Sequence, residues 1–229
     1  MNLKKELKGA KGMKRINKVA LALMVAFTPT VLASEGLYAG VGIGSAFTQV
    51  DVDRGTDHHM NYTSNAGKVG TGLGAFLGYN HLIKETPLFM GLEAGFHYHN
   101  IKMSLKQDHR ILYIDKMDVS STDSLSGVFK FGVVIKDLMV HAKAGLLKTT
   151  WRLGFEGSHP KSAYKGLVKT NSYGSVYGFG ADYKLNSNWS IGLDHTINTF
   201  QSLEFKIAEG SVKVDPKINT TSLRLTYTF

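Results

Sequence analysis

The stretch GLEAGFHYH, residues 91–99, decides how the chain folds. Read with a period of two, one set is Leu92, Ala94, Phe96 and Tyr98, and the other is Gly91, Glu93, Gly95, His97 and His99. Strict alternation marks a strand with two unlike faces. A soluble sheet hides its oily face and wets the other with many charges. Here the second face holds one acid, two imidazoles and glycines, too small and too sparsely charged for a wet exterior. The oily face therefore points outward and the polar face points into a confined interior.

The start of the chain bounds the compartment. Lys4, Lys5, Lys8, Lys11, Lys14, Arg15 and Lys18 stand against Glu6 alone, and the apolar run VALALMVAFTPTVLA (19–33) follows. That run is shorter than the roughly 20 residues a membrane-spanning helix requires. A basic region, a short apolar region and a small-residue ending at Ala33 describe a secretory signal peptide over residues 1–33, cleaved after Ala33. A start at Met13 would give it ordinary length. Seven of the 27 Lys and Arg and one of the 18 Asp and Glu lie in this segment, so residues 34–229 carry only +3. No strong basic stripe remains for nucleic acid. The chain has no Cys, which excludes disulfides, thiol nucleophiles and thiolate metal sites.

Period two recurs through residues 34–229, read as one domain. The outward sets are Leu37, Ala39, Val41, Ile43; Leu73, Ala75, Leu77, Tyr79; the opening stretch; and Phe129, Phe131, Val133, Ile135. Then come Val140, Ala142, Ala144, Leu146; Tyr177, Phe179, Ala181, Tyr183; Trp189, Ile191, Leu193; and Leu223, Leu225, Tyr227, Phe229. Eight strands result. Short turns at residues 84–87, 136–137 and 186–188 alternate with long polar stretches at 51–67, 102–123, 154–171 and 201–219, which read as loops. Short turns on one side and long loops on the other are the layout of a transmembrane β-barrel. Tyr79, Phe89, Tyr183, Trp189, Tyr227 and Phe229 lie near the turns and read as an interfacial girdle. The fold class is all-β, an eight-stranded antiparallel up-and-down transmembrane barrel.

GLYAGVGIG (36–44), GAFLGYN (74–80), GLEAG (91–95), HAKAG (141–145), WSIGLDH (189–195) and the ending TYTF (226–229) together resemble the small eight-stranded outer-membrane barrels. Their types are the OmpA transmembrane domain, OmpX and the opacity-like surface proteins. The resemblance implies residence in the bacterial outer membrane, among its lipid and lipopolysaccharide, with help from the barrel-assembly machinery. It implies that Leu223, Leu225, Tyr227 and Phe229 form the C-terminal assembly signal, although Arg224 stands where that signal usually has a small residue. No periplasmic domain is expected after the last strand.

Eight strands leave an interior that side chains fill. Parity places Glu93, Asp182 and Asp194 there with Lys130, Lys143, Lys184 and Arg224, and also His97, His99 and His141. Buried charges are costly alone, so these should pair. Glu93 and Asp194 match the family's lumenal acids, and Lys130 and Lys143 its basic partners. The network reads as a structural plug, or else as the gate of a narrow porin-like channel. Neither a metal nor a cofactor is expected.

Enzymatic barrels offer a contrast. Lipid A deacylases of the PagL type carry His-x-Ser on a late strand; here His195 is followed by Thr196 and Ile197, which leaves the base without its nucleophile. Omptin-like proteases need more strands. A non-enzymatic surface protein is the expected reading, monomeric and anchored to display loops for adhesion to a host or surface ligand. IKMSLKQDHRILYIDKM (101–117) and LEFKIAEGSV (203–212) continue to alternate and read as hairpins protruding from the membrane. Their turns fall at Gln107-Asp108 and Glu209-Gly210. Lys148, Arg152, Lys161, Lys165 and Lys169 form a basic rim on the third loop, suited to lipopolysaccharide phosphates or anionic host glycans.

Overall fold

The structure is a computed structural model that describes residues 35–55, 62–106, 114–159, 162–207 and 210–229. The expected signal peptide, Met13, Lys161 and the tips at Gln107-Asp108 and Glu209 lie outside the described residues. The strands are β1 (Gly36–Gly55), β2 (Tyr62–Leu82), β3 (Leu88–Lys106), β4 (Ile114–Ile135), β5 (Leu138–His159), β6 (Ser162–Lys184), β7 (Trp189–Phe200), β8 (Leu203–Ile207) and β9 (Gly210–Thr228). Each pairs antiparallel with its neighbour, and β9 closes on β1. The short β8 extends the line of β7 after a break at Gln201 and Ser202 and pairs with the upper part of β9. The closed barrel therefore has eight strands.

The registers fix its dimensions. Crossing perpendicular to the strands, Ala39 leads to Leu77, Ala94, Gly127, Leu146, Ser175, Thr199 and Lys217, and the circuit returns to β1 at Gln49. That ten-residue stagger from Ala39 to Gln49 tilts the strands by about 40° and gives a backbone radius of about 8 Å. A tube this narrow holds side chains and little else.

Inward and outward parity is as the alternation predicts. Leu92, Phe96, Leu125, Phe129 and Leu223 are exposed, whereas Glu93, Lys130, His141, Asp194 and Arg224 are buried. On β4 the outward apolar set runs from Leu125 to Ile135, close to the roughly 9–11 residues that cross a bilayer. The short turns are tight, and Glu85 (φ 62°) and Lys136 (φ 56°) take left-handed backbone there. Tyr79, Tyr183 and Trp189 face outward near these turns, with Trp189 edge-on to Tyr227 at 5.0 Å and Tyr227 edge-on to Phe229 at 5.2 Å. Phe89 departs from the expected girdle. It shares the parity of Glu93, is wholly buried, and meets His141 edge-on at 6.4 Å. Proximity to a turn places a residue at the interface only if it also points outward.

The described parts of the hairpins expected at 101–117 and 203–212 are strand, and the larger correction is that the described parts of the stretches at 51–67 and 154–171 are strand as well. Most of the stretches read as long loops are paired strand: β4 and β5 each have 22 residues and β6 has 23, twice what the membrane needs. β2 pairs with β3 only as far as Gly72 and His99, and β6 with β7 only as far as Gly174 and Phe200. Above those points, among the described residues, the wall divides into two four-stranded sheets, β2-β1-β9-β8 and β3-β4-β5-β6. Between them lies an apolar core of Ala46, Val50, Ile101, Met103, Val119, Trp151, Leu153, Leu203, Val214 and Ile218. The apolar parity has changed sides. On β5 it is outward at Leu146 and inward at Trp151 and Leu153; on β9 it is outward at Leu223 and inward at Ile218 and Val214. Lipid surrounds the lower barrel and water the upper, so each half puts its oil where it is stable.

Candidate functional site: lumen and outer walls

Within the membrane the lumen is a charge cluster centred on Arg224. Its Nη2 donates to Glu93 Oε2 at 2.5 Å and its Nη1 to Glu93 Oε1 at 3.1 Å, a forked pair, while Nη1 also reaches Asp194 Oδ2 at 3.2 Å. The guanidinium lies 3.7 Å from the centre of the Phe76 ring. Lys143 Nζ holds Asp194 Oδ1 at 2.7 Å. Lys130 Nζ sits between Glu93 at 3.6 Å and Asp182 at 4.0 Å, and Tyr38 donates its hydroxyl to Glu93 Oε2 at 2.9 Å. His141 bridges Asp182 and Asp194 at 3.6 Å from each, too long for hydrogen bonds. Three carboxylates thus face three cations, formally neutral, which is what makes so many buried charges tolerable.

The sequence makes room for this cluster with glycine. Across the strands Glu93 faces Gly78, Lys143 faces Gly178, Asp182 faces Gly192, His141 faces Gly132 and Gly180, and Arg224 faces Gly42 and Gly192. A Cβ at Gly180 would stand 2.8 Å from His141 Nε2 and 3.0 Å from Asp194 Oδ2. Arg224, which departs from the expected assembly signal, is thereby explained as the hub of the lumen. Lys184 lines the periplasmic mouth together with Asp182.

His97 and His99 are stacked 6.1 Å apart with planes 7° from parallel. They line a cavity above the charge cluster, together with Gly42, Gly44, Gly72 and Gly74. Its water-accessible space of about 50 Å³ has room for a few waters. The apolar core lies above it. His141 belongs to the charge cluster, so the three lumenal histidines do not converge. Among the described residues no group of three or more His, Asp and Glu is arranged to hold a metal.

Of the basic rim, Arg152 and Lys169 come together on the outer wall of β5 and β6, and Lys148 lies lower on the same face of β5. Arg152 is directly opposite Lys169, and Lys148 Nζ lies 5.8 Å from the Tyr173 ring. Lys165 is in β6, opposite Glu156; Lys161 lies outside the described residues. Asp123 borders the patch. Thr122 and Thr150 donate to it at 2.5 and 3.1 Å, and the Thr122 bond above all holds its carboxyl below the usual range. His195, the one histidine resembling a catalytic base, faces outward and shares a 2.9 Å hydrogen bond with Thr221 Oγ1.

Comparisons with known proteins agree with this architecture. Residues 19–229 match the family model described as outer membrane protein beta-barrel domain. No curated protein matches the sequence. Among solved structures, the outer membrane protease OmpT of Escherichia coli aligns with a TM-score of 0.50 at 9% identity, over 88% of this chain and 99% of that one. OprG of Pseudomonas aeruginosa aligns at 0.47 and 12% identity, over 86% and 98%. Ail, the attachment invasion locus protein of Yersinia pestis, aligns at 0.35 and 14%, over 83% and 99%. At such identities the likeness concerns the fold alone.

Proposed function

The chain belongs to the outer-membrane β-barrel family and resides in the bacterial outer membrane, and from that premise we propose a non-catalytic surface protein. Its barrel is a sealed anchor, and its working part is the two-sheet extension above the membrane. One observation carries this reading: strands twice the length the bilayer needs continue outward around their own apolar core. Such a platform presents its outer walls on paired strand, where flexible loops would lose ordering entropy on binding. Below it, the formally neutral ion cluster and the apolar core are two successive barriers to ions, which favours an anchor over a narrow channel.

The chemistry of the contact follows from the cationic wall. Like charges directly opposite each other destabilise a strand pair, yet Arg152 and Lys169 are so placed with Lys148 below. Asp123 offsets part of that repulsion; an anionic partner relieves the rest, and sulfated or phosphorylated glycans at a surface supply the charge. The test is adherence of bacteria displaying the protein to immobilised heparin. A version with β3–β4 and β5–β6 shortened to tight turns at the membrane edge, its barrel verified as folded, is the control. Loss of adherence with the shortened barrel supports the reading, and equal adherence overturns it.

A further inference from the structure

The lipid-facing wall carries a feature that anchoring alone does not explain. His195, Thr221, Ser45 and Thr71 are direct cross-strand neighbours on β7, β9, β1 and β2, all on the outward face. Ser45, Thr71 and Thr221 are exposed and His195 is half-buried. The row beneath them is Leu193, Leu223, Ile43 and Leu73, and the row above is Ile197, Asn219, Phe47 and Val69. On β7, β1 and β2 the apolar band resumes above the polar row, whereas on β9 Asn219 and Lys217 follow Thr221. A thinner bilayer on this side does not account for it, because exposed Ile197, Phe47 and Val69 resume the oil above.

The opposite wall shows the contrast. The row lies six to eleven residues in from the periplasmic ends of its strands; at seven to ten residues in, the outward positions of β3 to β6 are apolar or aromatic, Phe96, Leu125, Leu146 and Tyr177 among them, apart from Lys148 and Ser175, which are not cross-strand neighbours. Hydrocarbon offers nothing to a hydroxyl or an imidazole. A single Thr satisfies itself on its own backbone, and His195 and Thr221 satisfy each other in part, but four polar side chains in one row are a surface.

We propose that the β7-β9-β1-β2 wall binds one phosphorylated, multiply acylated glycolipid of the outer leaflet. Its hydroxyl and amide linkages lie on the His195, Thr221, Ser45 and Thr71 row. Three observations select this occupant. The row crosses three interstrand steps, about 14 Å, wider than the two chains of a glycerophospholipid. Along the outward face of β9 the side chains read Leu225, Leu223, Thr221, Asn219, Lys217, the order of acyl chain, hydroxyl or amide linkage, and phosphate. Lys217 is exposed at the top of that ladder and supplies the complementary charge. A second copy of the barrel fits poorly, since a row inclined by the strand tilt crosses its two-fold mate instead of lying along it.

The test uses the full barrel refolded into vesicles holding equal amounts of deep-rough lipopolysaccharide and phosphatidylglycerol, then examined by native mass spectrometry. The wild type should retain one glycolipid, with at least a ten-fold preference over the phospholipid. The double variant Thr221→Val with His195→Leu makes the wall more apolar and should fold at least as well, yet lose most of that preference. Lys217→Gln should lower it about three-fold. Equal retention by wild type and double variant overturns the proposal. So does equal retention of phosphatidylglycerol, or a wild-type dimer that the double variant dissociates.

Discussion

Replacing Arg224 by Met removes the hub of the lumen, and the cost can be worked from its contacts. Glu93 loses a forked pair at 2.5 and 3.1 Å, and Asp194 a donor at 3.2 Å. Asp194 keeps Lys143 at 2.7 Å, whereas Glu93 keeps only Tyr38 at 2.9 Å and a distant Lys130. Three buried carboxylates then face two cations, so one charge is uncompensated. Breaking a buried pair from one side costs about 3–5 kcal/mol. Adding Glu93→Gln restores formal neutrality, with Asp182 and Asp194 facing Lys130 and Lys143. The double variant should therefore be more stable than the sum of the single losses, by about 2 kcal/mol. The assay is reversible urea unfolding in phospholipid vesicles, followed by Trp fluorescence and the heat-modifiable gel band. Losses that add to within about 0.5 kcal/mol, or an Arg224→Met cost below about 1 kcal/mol, would refute the idea that these charges act as one cluster.

Three further outcomes follow from the same geometry. Leu92 and Leu167 are 66% and 73% exposed, and only the bilayer distinguishes them; Leu92→Arg should cost about 2–4 kcal/mol in vesicles, and Leu167→Arg within about 0.5 kcal/mol of nothing. Trp151→Ala should cost about 3–5 kcal/mol and open the upper sheets, read as faster hydrogen exchange above residues 72 and 174 while the strands below stay protected. Gly180→Ala should lower the yield of folded barrel, because its methyl group meets His141 and Asp194; a folding yield equal to wild type would show that the lumen has slack.

Much of this was legible because the bilayer imposes its pattern residue by residue. Leu92 outward and Glu93 inward need no more than parity, and the glycines opposite the charges explain why the inner set looked so empty. Phe89 sits near a turn, yet its parity with Glu93 decides that it points inward. Alternation exposes the upper strands at 101–117 and 203–212, but not those at 51–67 and 154–171, because the apolar set changes phase where lipid gives way to water. Tyr98 outward is followed by Ile101 and Met103 inward, and Phe47 outward by Val50 inward. A reading that waits for one phase to continue ends the strand there. The phase change is itself a signal and marks the outer edge of the membrane. The polar row at Thr71, Ser45, Thr221 and His195 was not legible in any one strand, because only the registers bring those residues together.

The central claim is that the lumen is sealed and the extension above it does the work. Single-channel recording of the refolded barrel in a planar bilayer tests it most directly, with folding confirmed in the same sample. The wild type should be silent. Glu93→Gln should be silent too, because the apolar core around Trp151 remains a second barrier. Steady openings of the wild type, altered by Glu93→Gln, would contradict that claim and make the charge cluster a gate.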